Sequence, residues 1–161
     1  MSVTRNYTGR SVDLLMFQNT APAGEKSITL GLGGATGGFV TTGVQKLAQL
    51  WSLLFLTEQG SIPCAPQLGT LFLFQQRTGA LQDESDVQTA FSQAARDVAD
   101  QLQAREFDSD LPVPLDEQFR NANLVSFTLD RASSTLSLYV GIVSQAGTKH
   151  DLFLPVTVPI Q

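Results

Sequence analysis

Residues 43–70, GVQKLAQLWSLLFLTEQGSIPCAPQLGT, limit the folds open to this chain more than any other stretch. Val44, Leu47, Ala48, Trp51, Leu54 and Phe55 recur at three- and four-residue spacing, which predicts a helix over 42–56 with one apolar face that Leu50 and Leu53 widen. A helix this apolar must lie against a sheet or between partners, and Trp51 reads as core rather than as a ring on which a ligand stacks. In Thr57-Glu58-Gln59-Gly60, Gly60 suits the left-handed position just past a helix end. Pro63 and Pro66 each remove a backbone donor and push the preceding residue toward extended geometry, so 62–66 is expected as an extended strap across the surface. Leu68-Gly69 then permits a tight approach of backbones. Residues 71–74 form either a buried strand or a helix start, between which periodicity does not choose.

A second helix is expected over 86–105, capped by Ser85 or Asp86, with Val87, Phe91, Ala94, Ala95, Val98 and Leu102 along one side. Residues 106–123 combine acids with Pro112 and Pro114 and read as an exposed loop and polar corner. From there the period changes to two. Strands are expected at 124–130, with Val125, Phe127 and Leu129 inward, at 135–144, with Leu136, Leu138, Val140 and Ile142 inward, and at 150–158. Turns fall at 131–134 and 145–148, and Pro155 and Pro159 place the last strand at an edge or make its end irregular. Two main helices packed on a C-terminal antiparallel β meander give an α+β fold over 39–161.

Residues 1–38 are read as an N-terminal arm and a Gly-rich hinge. The apolar patch at 12–17 is either a short strand or an arm that docks elsewhere, and the lack of flanking periodicity favours an arm that is mobile or ordered by a partner. Ser27-Ile28-Thr29-Leu30 alternates as a short strand. GLGGATGG at 31–38 lacks the Gly-Lys-Ser/Thr ending of a phosphate-binding loop and does not fit G-x-G-x-x-G, so it reads as a flexible connection.

Composition narrows the function. Of 161 residues, 42 % are hydrophobic, enough for one substantial core, while only 16 % are charged against roughly 25 % in an average soluble domain. A surface so poor in charge must rely on Gln, Ser, Thr and Asn or be covered by partners, which points to an assembly component. A net charge of −5 with dispersed Lys and Arg argues against a nucleic-acid surface. The longest apolar run, 50–56, is far short of the roughly 20 residues that cross a bilayer. Neither a membrane span nor a signal peptide is expected.

Chemistry has few carriers. The single Cys64 excludes an internal disulfide framework, fits a reducing compartment and has no basic neighbour to activate it; with one histidine no Cys/His zinc cluster can form, and no cofactor is expected. His150-Asp151 reads as a solvated polar pair. Paired carboxylates suffice for glycan hydrolysis, with candidates Glu58, Asp83, Glu84, Asp108, Asp110, Asp116 and Glu117, so a peptidoglycan or glycan hydrolase using two of Glu58, Glu84, Asp108 and Glu117 is the alternative to a non-enzymatic role.

Three segments resemble a known family: Gln45-Lys46-Leu47-x-x-Leu50, then Leu54-Phe55-Leu56-Thr57-Glu58-Gln59-Gly60-Ser61-Ile62-Pro63, then Pro66-Gln67-Leu68-Gly69-Thr70-Leu71. Over roughly residues 40–145 the chain resembles the lysozyme-like baseplate wedge family of contractile-tailed phages, to which a type VI secretion baseplate subunit is related. The family's Glu-Pro-Arg triplet has its nearest match in Glu117-Gln118-Phe119-Arg120. The resemblance implies a structural subunit rather than a lysozyme. Such a subunit joins the wedge to the first sheath ring, exchanges strands with its neighbours, and is present in several copies around a six-fold axis of the virion tail baseplate after synthesis in the host cytoplasm. Its implied partners are other wedge proteins, the tail sheath protein and tube or hub proteins. Thr57, Pro63, Pro66, Leu68, Glu117 and Arg120 are the residues this reading places toward partners.

Overall fold

A computed structural model describes residues 12–14, 17–19, 28–30, 40–110, 112–130 and 135–157. Within the N-terminal segment, strand β1 (Asp13–Leu14) pairs antiparallel with β4 (Val40–Thr41), and β2 (Phe17–Asn19) pairs with β3 (Ile28–Leu30). Parts of the 12–17 patch are therefore paired strand. The Gly-rich 31–38 lies outside the described residues, as does the 131–134 turn.

Helix α1 (Gly43–Phe55) runs through the centre of the molecule. Its residues Leu47, Ala48, Trp51 and Phe55 are buried, and so are Gln49 and Ser52 on the flank, where hydrogen bonds keep them satisfied: Gln49 Nε2 donates to the Leu14 carbonyl at 2.9 Å and Ser52 Oγ to the Ala48 carbonyl at 2.8 Å. Trp51 stacks on Phe55 with ring centroids 4.8 Å apart, and Phe55 lies 4.8 Å from Phe72 and 5.6 Å from Phe91. This aromatic cluster joins all three helices, because Phe72 belongs to the short α2 (Phe72–Arg77) and Phe91 to α3 (Glu84–Phe107). Residues 72–74 are thus helical, the choice that periodicity left open.

The helix α3 begins earlier than its apolar stripe shows. Asp83 is the N-cap; its carboxylate accepts from the Asp86 N–H at 2.9 Å, and the Asp86 carboxylate accepts in return from the Asp83 N–H at 3.3 Å. Asp86 is therefore the far half of a capping box rather than the cap itself, and Ser85 is not the cap either. An exposed first turn carries no hydrophobic signal, which is why periodicity places the start too late.

The helices pack on an antiparallel meander, β5 (Phe119–Asp130), β6 (Thr135–Ser144) and β7 (Lys149–Thr157), in that spatial order. In β6 the alternation is as expected: Leu136, Leu138, Val140 and Ile142 are all fully buried under α1. β5 differs in two ways. It starts at Phe119, inside the span expected to be loop, with Phe119 buried and its N–H donating to Glu106 Oε1 at 2.8 Å. It also carries two bulges, where Arg120 and Val125 are extra residues without a register partner in β6. An extra residue shifts the phase of a strand by one. Leu124 therefore faces inward ahead of the second bulge and Phe127 after it, and Val125, expected inward, is 61 % exposed.

Candidate functional site

The loop between α1 and α2 is built from turns. Ala65 N–H donates to the Ile62 carbonyl and Leu68 N–H to the Ala65 carbonyl, both at 3.1 Å, so Pro63 and Pro66 each occupy the second position of a β-turn. Proline's fixed φ suits that position as well as it suits extended chain. The expected strap is consequently a compact double turn. Gly60, with φ +85°, does not end α1, which stops at Phe55; it completes a separate turn in which Ser61 N–H donates to the Glu58 carbonyl at 3.0 Å.

The two ends of this loop are tied together. Thr70 N–H donates to the Thr57 carbonyl at 2.8 Å and Gln59 N–H to the Thr70 carbonyl at 2.9 Å, while the buried Thr70 hydroxyl reaches the Phe55 carbonyl at 2.9 Å. Gly69, at φ +94°, passes so close to Thr57 that a Cβ on it would overlap the Thr57 carbonyl oxygen. The close approach expected at Leu68-Gly69 is thus present. Gln101 of α3 clamps the same point, its amide donating to the Gly69 carbonyl at 2.8 Å and accepting from the Gly69 N–H at 2.9 Å. Pro63, Cys64 and Pro66 are exposed on the outer side, and Leu68 is half-buried. Thr57 Oγ1 is spent on the Leu53 carbonyl at 2.6 Å. Beside the loop, Leu71 and Phe74 are exposed apolar residues, and the Arg77 guanidinium lies over the Phe74 ring and pairs with Glu58 at 2.7 Å.

Glu117 and Arg120, adjacent in the sequence motif, point to different places. The Glu117 side chain is buried at the start of α1: Oε1 accepts from the Gly43 N–H at 3.1 Å and Oε2 pairs with Lys46 Nζ at 2.7 Å. Thr42 supplies no side-chain cap to α1 and the first turn has no acid, so this carboxylate, 74 residues away in sequence, satisfies a helix-end donor and meets the positive end of the helix dipole. Its chemistry is spent inside the chain. Arg120, at the first bulge of β5, is exposed.

Arg120 opens onto a groove of about 640 Å³ between α3 and β5. Every residue from 119 to 127 lines it, so what it borders is the backbone edge of the strand and not one face; the opposite wall carries Phe91, Ala95 and Arg96 of α3. Among the described residues β5 pairs only with β6, which leaves this edge without a second strand partner. Sequence reasoning missed Arg96 and the edge because neither a bulge nor a helix–strand groove leaves a periodic signal.

Two pairings of the candidate carboxylates are too far apart for glycan hydrolysis. Glu84 and Asp108 stand at opposite ends of a 24-residue helix, roughly 36 Å apart at 1.5 Å per residue, and Glu58 and Glu117 flank opposite ends of the 13-residue α1, roughly 20 Å apart. Glycosidases need roughly 5–9.5 Å. Among the described residues, no carboxylate lines the α3–β5 groove. His150 is half-buried within β7 rather than solvated; burial lowers its pKa, with the Asp151 charge opposing, and Asp151 itself pairs with Lys149 at 2.9 Å. Among the described residues, no helix is long and apolar enough to cross a membrane. No model of a known protein family and no curated protein matches this sequence.

Proposed function

We propose that this chain is a structural subunit of a contractile-tail baseplate that links the wedge to the first sheath ring and helps start sheath assembly by strand addition and helix packing. The observation that carries the reading is β5: a 12-residue strand at the sheet edge, with no second strand partner among the described residues, beside a groove of about 640 Å³. An unpaired edge presents a row of N–H and C=O groups to which an extended segment can bond, and proteins that do not use such an edge normally block it. Supporting this are the 16 % charge content and the exposed Leu71, Phe74, Phe107, Leu115 and Val125, apolar surface of the sort that assembly covers.

On this reading the work is binding, with no covalent step. The double turn at 57–70 is held rigidly by Thr57, Thr70 and Gln101, so Pro63, Pro66 and Leu68 form a preshaped surface for a wedge partner. The test is reconstitution with the wedge and sheath proteins of a contractile tail, followed by hydrogen exchange. The expected result is co-elution together with slowed exchange of the β5 amides. A chain that stays monomeric and binds neither protein sinks the proposal. Clearance of peptidoglycan turbidity, lost on a single carboxylate-to-amide change, would replace it with the hydrolase.

A further inference from the structure

We propose that the α3–β5 groove seats an extended, acidic segment of a partner protein, laid along the open edge of β5 with its carboxylates against Arg96 and Arg120. The inference rests on the strand-addition reading above and names the partner's chemistry.

The two edges of the sheet are treated differently. At the β7 edge, Pro155 has no N–H to offer, Gln76 Nε2 of α2 donates to the Val156 carbonyl at 3.1 Å, and β3 lies against the strand. That edge is covered. At β5 no described strand takes the corresponding place; α3 lies alongside, and its Glu106 accepts only from the Phe119 N–H at the start of the strand. The groove runs beside nine consecutive strand residues, about 30 Å at 3.3 Å per residue, long enough for an added strand. The half-buried Ala95, Leu124 and Phe127 give it apolar surface on which alternate side chains of an added strand can rest.

Charge selects the occupant. The chain has 15 acidic and 10 basic residues, yet among the described residues the only charged ones lining the groove are Arg96 and Arg120. Both are exposed, and neither forms an ion pair among the described residues. Arg120 is one of the two bulge residues, and a bulge re-aims the side chain it carries. A groove with two unpaired guanidinium groups on an otherwise acidic protein favours carboxylates, and guanidinium forks can take them bidentately.

The test uses the full chain and three ten-residue synthetic peptides that alternate Val or Thr with Glu, with Gln, or with Lys, followed by amide NMR titration and hydrogen exchange. The Glu peptide is expected to slow exchange of the β5 amides, to shift the Ala95 and Arg96 signals, and to bind about tenfold more tightly than its Gln counterpart. This preference opposes the net charge, so general attraction cannot produce it. In R96E/R120E, both at exposed positions, the preference should invert toward the Lys peptide while β6 amide protection stays unchanged. Equal affinity for the Glu and Gln peptides with β5 protected overturns the acidic partner and leaves strand addition standing. Binding away from β5 overturns the groove, as does β5 protection that rises with protein concentration alone, which would assign the edge to a second copy.

Discussion

The carboxylate of Glu117 ties the start of α1 to a point 74 residues away in sequence, and its removal is a sharp test of how α1 is held. Glu117→Ala deprives the Gly43 N–H and the Lys46 ammonium of an acceptor at a site where the two side chains are only 5 % and 15 % exposed. Breaking a buried pair typically costs about 3–5 kcal/mol, and a charge-assisted hydrogen bond about 1.5–3 kcal/mol. These overlap, and Lys46 can swing part of the way to water, so about 3 kcal/mol is expected in total. For a chain of this length that lowers the melting temperature by about 6–12 °C. Glu117→Gln keeps an acceptor for Gly43 and gives up only the charge, so about half the loss is expected. Lys46→Met with Glu117→Gln should then be less destabilising than the sum of the single changes, with a coupling energy of about 1–2 kcal/mol from urea unfolding. Strict additivity would refute the energetic pairing with Lys46, and a Glu117→Ala loss below about 0.5 kcal/mol would refute the view that this carboxylate caps the helix.

Two further perturbations probe the loop and the sheet. Gly69→Ala forces a side chain onto a residue at φ +94° and into the Thr57 carbonyl, so a loss of about 3 kcal/mol or more is expected, against about 1 kcal/mol for Gly60→Ala, where a Cβ meets open space at φ +85°; thermal unfolding of both variants checks this, and equal losses would mean that the close approach is not rigid. Burial lowers the pKa of His150 below the ordinary 6.5, so its contribution to stability is complete above that value and is lost as pH falls from there through the folded pKa. Chemical unfolding at about pH 7.5 and about pH 5 should therefore show wild type losing stability relative to His150→Asn at the lower pH, and parallel behaviour would remove His150 from the account.

The fold was legible where one face of an element is wet and the other dry. The stripe on α1, the alternation in β6 and the Pro-marked edge strand β7 all report burial directly, and the α+β order follows from them. Misreadings arose where a residue's local effect admits two geometries. Pro63 and Pro66 fix their own φ, which an extended strap and a chain of β-turns satisfy equally, and the hydrogen bonds that decide between them lie in the neighbours. Asp83 sat outside the apolar pattern, and only the reciprocal bonds with Asp86 mark it as the cap.

The candidate site was the least legible part, for a physical reason. Glu117 and Arg120 look like one polar unit in sequence, but the bulge at Arg120 and the burial of Glu117 send one side chain into the groove and the other to the foot of α1. The same local break thus serves two ends. It lets the strand begin where the Glu117 carboxylate is pinned, and it turns a guanidinium toward an edge that no described strand occupies. If the pinning and the exposure are linked in this way, Glu117→Ala should disturb the groove as well as α1. Increased exchange of the Phe119 and Asn121 amides should then accompany the loss of stability, in conditions where the β6 amides near Leu136 and Leu138 still exchange only through global unfolding. Unchanged exchange at Phe119 and Asn121 would show that the helix cap and the strand edge are independent.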